Sequence, residues 1–275
     1  MRIVLLTTAA LTGFAANSLL TRAALGSHLI DAPSFTLIRL ATGAATLLLL
    51  VRARGRAATG SGTWTGALAL AGYAVAFTIA YTRIGAAVGA LLLFGAVQIT
   101  MTGTGLVRGE RPKRIDWVGV ALAIGGLLVL TLPGAAAPDV IGAALMLVAG
   151  ACWGVYSLLG RTSRDPLATT SGNFVRATLL AAAALAALLP QASISSRGVM
   201  LAVASGSLAS GVGYTFWYAA LPALASWRAA LLQLLVPVLT AILAAAWLGE
   251  IISTRLVLAA GLVIAGVALT IHRSK

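Results

Sequence analysis

The chain has 275 residues, 60% of them hydrophobic and 9% charged, with a formal net charge of +13. Soluble domains carry roughly 25% charged residues, so this composition excludes one. The positive residues stand between apolar runs and form no basic face, which also excludes a nucleic-acid-binding surface.

Ten apolar runs are predicted as membrane helices, at 3–21, 32–51, 64–82, 86–107, 115–132, 139–160, 167–189, 198–219, 228–248 and 254–271. Each approaches the roughly twenty residues needed to cross a hydrocarbon core of about 30 Å. Each must be helical, because lipid offers the backbone no hydrogen-bonding partner outside its own helix or a closed barrel. The first run follows Arg2, lacks a small-x-small cleavage site and precedes nine similar runs, so it reads as a helix and not a leader. Phe14 and Asn17 lie three residues apart on it, a spacing that puts both on one face.

The second run carries Arg39 near its start and ends at Arg52-Ala53-Arg54-Gly55-Arg56. The third places Tyr73, Phe77 and Tyr81 at four-residue spacing, again on one face. The fourth opens with Gly85 and Gly89, holds Gln98 in mid-span, and ends at Gly109-Glu110 within the basic loop 108–114. The fifth stops at Pro133-Gly134. The sixth contains Gly150 and Gly154, whose spacing lets helices approach closely, and adds Trp153 and Tyr156. The seventh follows Arg164-Asp165-Pro166 and carries Asn173, a cavity group or a helix-end cap, and Arg176. The eighth presents Tyr214, Trp217 and Tyr218 on one face. The ninth holds Gln233 and Pro237 in mid-span and ends at Gly249-Glu250. A mid-span proline removes a helix hydrogen bond, here from the Gln233 carbonyl, so Pro237 is a candidate gate.

Lys and Arg divide unevenly between the two sides: thirteen on one, four on the other, and Arg39 and Arg176 within spans. The positive-inside rule then places both termini in the cytoplasm. Arg39 and Arg176, near the starts of their spans on opposite sides, could each meet a substrate carboxylate at one opening; the simpler reading is that they snorkel to the interface or hold helix ends. Buried Gln98 and Gln233 must find a partner in substrate or in a neighbouring helix. Trp64, Trp117, Trp227 and Trp247 are expected in the interfacial belts, with Tyr81 and Tyr218 open to the same reading. All six acids (Asp31, Glu110, Asp116, Asp139, Asp165, Glu250) fall in loops or at span ends. A carboxylate at the midplane is the usual device for exchanging a cationic drug against protons, so its absence favours a neutral or zwitterionic substrate. The lone Cys152 and the outlying His28 and His272 offer no metal site or internal disulfide, and no cofactor is expected.

The chain also repeats itself at a shift of 137 to 140 residues. Ser18-Leu19-Leu20-Thr21-Arg22 returns as Ser157-Leu158-Leu159-Gly160-Arg161, Arg39 as Arg176, Phe77 and Tyr81 as Tyr214 and Tyr218, and Gly109-Glu110 as Gly249-Glu250. Five helices per half is an odd number, so the second half enters the membrane from the opposite side. The predicted fold class is an all-α polytopic membrane protein of ten transmembrane helices, one transporter domain over 1–275, built from inverted repeats 1–134 and 135–275. Inverted repeats characterise secondary transporters that bind substrate near the midplane and alternate access.

These spans, the two Gly-Glu endings, the paired arginines opening helices 2 and 7, and Pro237-Val238-Leu239-Thr240 ahead of Ala244–Glu250 resemble the EamA family of the drug/metabolite transporter superfamily along the full chain. Within it the chain is most similar to the branch that exports aromatic amino acids. The resemblance implies export from the cytoplasm and places helices 5 and 10 outside the central cavity. Val97 stands where the first half would match Pro237, so local unwinding is expected at Gly95 instead.

The expected function is secondary transport of small neutral or zwitterionic metabolites, amino acids including aromatic ones, out through the inner membrane of a bacterium. A sugar-phosphate or nucleotide-sugar carrier is the alternative transporter, and a membrane scaffold or receptor the alternative of another class. No enzyme is expected, since no mid-span acid or histidine could activate Ser205, Ser207 or Ser210. The partners are a small-molecule substrate and the lipid bilayer, with a monomer the simplest assembly.

Overall fold

A computed structural model describes residues 2–55, 61–131, 139–249 and 254–272. Arg56, Pro133-Gly134, Glu250, Arg273 and Lys275, which the topology and repeat arguments use, lie outside them. The described chain forms helices α1 (Arg2–Gly26), α2 (Ala32–Ala53), α3 (Trp64–Tyr81), α4 (Ala86–Val107), α5 (Arg114–Thr131), α6 (Val140–Arg161) and α7 (Pro166–Leu185). They are followed by α8 (Ser196–Ala223), α9 (Ser226–Leu248) and α10 (Thr254–His272). Seven of them (α1, α2, α3, α4, α6, α8 and α9) are long and apolar enough to cross a membrane. In α7 the run Thr169–Asn173 and Arg176 dilute the apolar character, and in α10 the apolar stretch is limited to Val257–Leu269.

Short polar side chains start the helices. Asp31 accepts from the Ser34 amide, Thr63 from Gly66, Asp139 from Gly142, Asp165 from Ala168 and Ser195 from Gly198. Each bond satisfies one of the amides that a helix start leaves without an internal partner. Of the acids predicted in loops and at span ends, Asp31, Asp139 and Asp165 therefore work as caps. Gly109, at φ 84°, ends α4 in the left-handed region, which only glycine adopts without strain, and turns Glu110 back toward the bundle.

Large apolar side chains such as Leu68, Ile99, Val140, Leu179 and Leu208 point outward, an exterior suited to lipid. Packing is reciprocal between the two halves of the chain. α1 lies against α8 and α9, α6 lies against α3 and α4, α2 pairs with α7, and α5 pairs with α10. The closest approaches need glycine. A Cβ on Gly150 would collide with the Leu93 carbonyl of α4, and one on Gly206 with the Arg39 carbonyl and Thr42 Oγ1 of α2.

Three helices depart from plain α geometry or from expectation. α4 is continuous from Ala86 to Val107, so the unwinding expected at Gly95 does not occur; with no proline there, each amide keeps its partner. α9 breaks at Leu234, between Ser226–Gln233 and Leu235–Leu248, three residues ahead of Pro237, whose ring nitrogen has no proton for the Gln233 carbonyl. If that break gates transport, Pro237→Ala should slow turnover severalfold with little loss of folded protein. Unchanged transport in reconstituted vesicles would remove the gating role. α8 widens to a π-helix over Ser205–Val212, a distortion absent from the predicted pattern.

Both ends of the bundle are tied. At one end the α1–α2 and α7–α8 connections meet: the Asp31 amide donates to the Ser193 carbonyl at 2.9 Å and the Ser195 amide to the Leu29 carbonyl at 3.0 Å. At the other end Glu110 accepts from the Ser226 amide, at 3.0 Å to either oxygen, and from Arg161 Nη1 at 2.7 Å, joining α4, α6 and α9. Burial, the largest single influence, raises the Glu110 carboxyl, but these bonds with those from Ser226 Oγ and the Trp227 amide outweigh it and hold the group below the usual carboxylate range. Trp227, expected in an interfacial belt, is instead buried with Arg228 over its ring, because the Glu110 cap pulls the start of α9 into the bundle. Trp64, Trp117 and Trp247 are exposed.

Candidate functional site

The aromatic faces of α1, α3, α6 and α8 converge at the centre of the bundle. Phe14 presents its ring edge-on to Trp153, Tyr214 and Trp217, with centroids 5.2, 5.9 and 5.6 Å away. Tyr73 packs on Phe77 at 5.1 Å and on Trp153 at 5.2 Å, while Trp153 meets Tyr214 at 4.8 Å. Between them lies a cavity of about 10 Å³, lined by Phe14, Asn17, Ser18, Tyr73, Phe77, Leu93, Phe94, Trp153 and Tyr214. That volume holds about one water molecule, and every lining residue is buried. α5 and α10 contribute nothing to its wall.

Six of the residues predicted for the cavity line it: Phe14, Asn17, Tyr73, Phe77, Trp153 and Tyr214. Trp217, Tyr156 and Gln233 stand behind that wall. Trp217 packs on Phe14, Tyr156 packs on Trp153 and Tyr214, and Gln233 Oε1 accepts from Trp153 Nε1 at 2.7 Å. Tyr81 and Tyr218 are buried and lie farther along α3 and α8, Tyr81 against Phe77 and Tyr218 against Tyr156. Neither belongs to an interfacial belt. Gln98 is apart from the cavity, donating from Nε2 to Thr102 Oγ1 at 3.1 Å within its own helix.

The two arginines within spans separate in the structure. Arg176 Nη1 donates to the Ser61 carbonyl at 2.6 Å and to the Gly172 carbonyl at 3.1 Å, with its guanidinium over Trp64. Beside it Asn173 Oδ1 accepts from the Thr63 amide at 2.8 Å, so both residues fasten the start of α3 to α7. Arg39 does not snorkel. It is the eighth residue of α2, roughly 10 Å along it by helical rise, on the face turned to the bundle centre, and only 1% exposed.

Hydroxyls and rings hold the Arg39 guanidinium. Nη2 donates to Tyr73 Oη at 3.0 Å and to Tyr214 Oη at 3.4 Å, and Nε donates to Ser210 Oγ at 3.2 Å. Its carbon lies 5.1 Å from the ring centroids of Tyr73 and Phe77, in cation–π range. Nη1 has no hydrogen-bond partner among the described residues. Asn17 completes the network, donating to Tyr73 Oη at 3.1 Å and accepting from Ser205 Oγ at 2.6 Å. The π-helical stretch makes this possible. Ser205 and Ser210 are five residues apart, one π turn, so they reach Asn17 and Arg39 from one side of α8. The polar run Ser205-Gly206-Ser207 and Ser210-Gly211 inside an apolar helix was the sequence signal for this face, read there only as a candidate nucleophile set.

The described acids all lie at helix ends, away from this cavity, and among the described residues no three His, Cys, Asp or Glu side chains group as a metal site. The wall presents aromatic rings, hydroxyls and one amide to the cavity, with the Arg39 guanidinium behind Tyr73 and Tyr214.

The comparisons with known proteins agree with this architecture. The model of the EamA-like transporter family matches residues 140–272. An uncharacterized protein of Pseudomonas aeruginosa is 51% identical over 269 residues, spanning 98% of this chain and 94% of that protein. One crystal structure, of a protein 21% identical, superimposes with a TM-score of 0.77 over 96% of each chain and shares the fold. This multi-pass membrane protein belongs to the EamA-like transporter family.

Proposed function

We propose that the protein is a secondary transporter that exports small neutral or zwitterionic metabolites, amino acids including aromatic ones, from a bacterial cytoplasm across the inner membrane. In this reading all ten helices cross the membrane, as inverted halves 1–134 and 135–275 with both termini cytoplasmic. Reciprocal packing supports the two-half arrangement, since α1 meets α8 and α9 as α6 meets α3 and α4. The observation that carries the reading is the buried aromatic cavity at the bundle centre, with hydrogen-bonded contacts tying the bundle at both ends. Alternating access needs that geometry: one site, reachable from one side while the opposite end is sealed.

The test is uptake of labelled phenylalanine, tryptophan, threonine and a sugar phosphate by vesicles holding the purified protein, with no ion gradient. Saturable entry of an amino acid, competed by unlabelled solute, is expected. A sugar-phosphate carrier is the second reading, favoured by the buried guanidinium of Arg39. Preferential entry of the sugar phosphate would select it.

A further inference from the structure

We infer that the central site holds its substrate by a carboxylate seated on Arg39, and that its favoured substrates are small aromatic monocarboxylates whose passage moves one negative charge. The inference rests on the transporter reading and, at that site, sets an anionic substrate class in place of the neutral or zwitterionic one.

Charge balance makes the first argument. Arg39 is 1% exposed, and its hydrogen-bonding partners are three neutral hydroxyls. A guanidinium buried in this way is costly unless an anion joins it, and neither its partners nor the described wall of the cavity, which it meets through the Tyr73 and Tyr214 hydroxyls, supplies one. Donor geometry makes the second. Nη1 is without a partner, and the Nη2 contact with Tyr214 is long at 3.4 Å. A carboxylate that displaces the Tyr214 hydroxyl takes Nη1 and Nη2 together, the planar two-point pairing that suits arginine.

The same wall disfavours an ammonium group. Asn17 Oδ1 already accepts one hydrogen bond, from Ser205 Oγ at 2.6 Å, and among the described residues no carboxylate stands in the cavity wall to offset a positive charge. An acid without the α-amino group therefore fits better than the zwitterion. Its ring meets Phe14, Phe77, Phe94 and Trp153 once the cavity expands. Energetics follow from the charge. With no acid in the wall to exchange protons, the membrane potential, negative inside, itself drives an anion outward.

The test titrates the purified full-length protein with 3-phenylpropionate, its neutral amide 3-phenylpropionamide, 2-phenylethylammonium and phenylalanine, by calorimetry. The acid should bind at least about tenfold more tightly than the amide, as a charge-assisted pair predicts, and the ammonium compound should not bind. Arg39→Gln should bring acid and amide to equal affinity; if that variant does not fold, the native ligand series decides alone. On supported membranes carrying the protein, 3-phenylpropionate should evoke a current that phenylalanine and protein-free membranes do not. Equal affinity of acid and amide, with saturable transport of either solute, overturns the inference and leaves the transporter standing. Failure of every compound to bind, together with no uptake of any solute, overturns both.

Discussion

Replacing Gly206 with valine is expected to cost about 3 kcal/mol or more of stability, the upper end of what overpacking a tight contact does. α2 and α8 cross at this glycine, with the Arg39 carbonyl and Thr42 Oγ1 in the space a Cβ would need. Backbone cannot yield as a flexible side chain can, so the two helices must part. Parting them moves Arg39 away from Ser210 and Tyr214, which reach it from α8. Little folded protein should survive detergent extraction, as size-exclusion chromatography and the thermal midpoint will report. Leu208→Ala, on the outward face of the same π-helical stretch, should leave both readouts nearly unchanged. A well-folded Gly206→Val protein would show that the α2–α8 contact is looser than its geometry.

Glu110→Gln is expected to destabilise by about 1.5–3 kcal/mol, the range for hydrogen bonds that involve a charged group. Glutamine keeps the shape but loses the ion pair with Arg161 and weakens the cap on the α9 amides. The pH dependence identifies the cause. The folded carboxyl is held below the ordinary value of 4.5, so its contribution is fully present above that pH and lost as pH falls through the folded value. Thermal midpoints of the native protein should therefore drop on acidification below about pH 4.5, while the variant's stay flatter and the two curves converge. Parallel curves would mean that another group carries the acid sensitivity. Because the same residue joins α4, α6 and α9, the variant should also open that end of the bundle more readily. An altered transport rate at neutral pH will measure this.

Local composition alone accounts for the helical nature of the chain, its membrane setting and most of its helix ends. Those properties depend on local composition: a run of apolar residues leaves the backbone only helical bonding in lipid, and Asp31, Thr63, Asp139 and Asp165 cap whatever helix follows them. Periodicity also marked the aromatic faces of α1, α3, α6 and α8, because residues three or four apart share a face wherever the helix is placed. Which of these rings meet was another matter. Tyr81 and Phe77 share a face of α3, yet only Phe77 reaches the cavity, since the crossing with α6 lies nearer Tyr73. Arg39 and Arg176 look alike as repeat mates, but one stands at the centre and the other binds a loop. Their fates depend on Tyr73, Tyr214 and Ser210 in one case and on Ser61 and Trp64 in the other, partners 34 to 175 residues away for Arg39 and over 100 away for Arg176. The π-helical widening of α8 and the burial of Trp227 have the same origin. Side-chain chemistry along one helix states what a residue can bind; only the crossing of helices decides what is within reach.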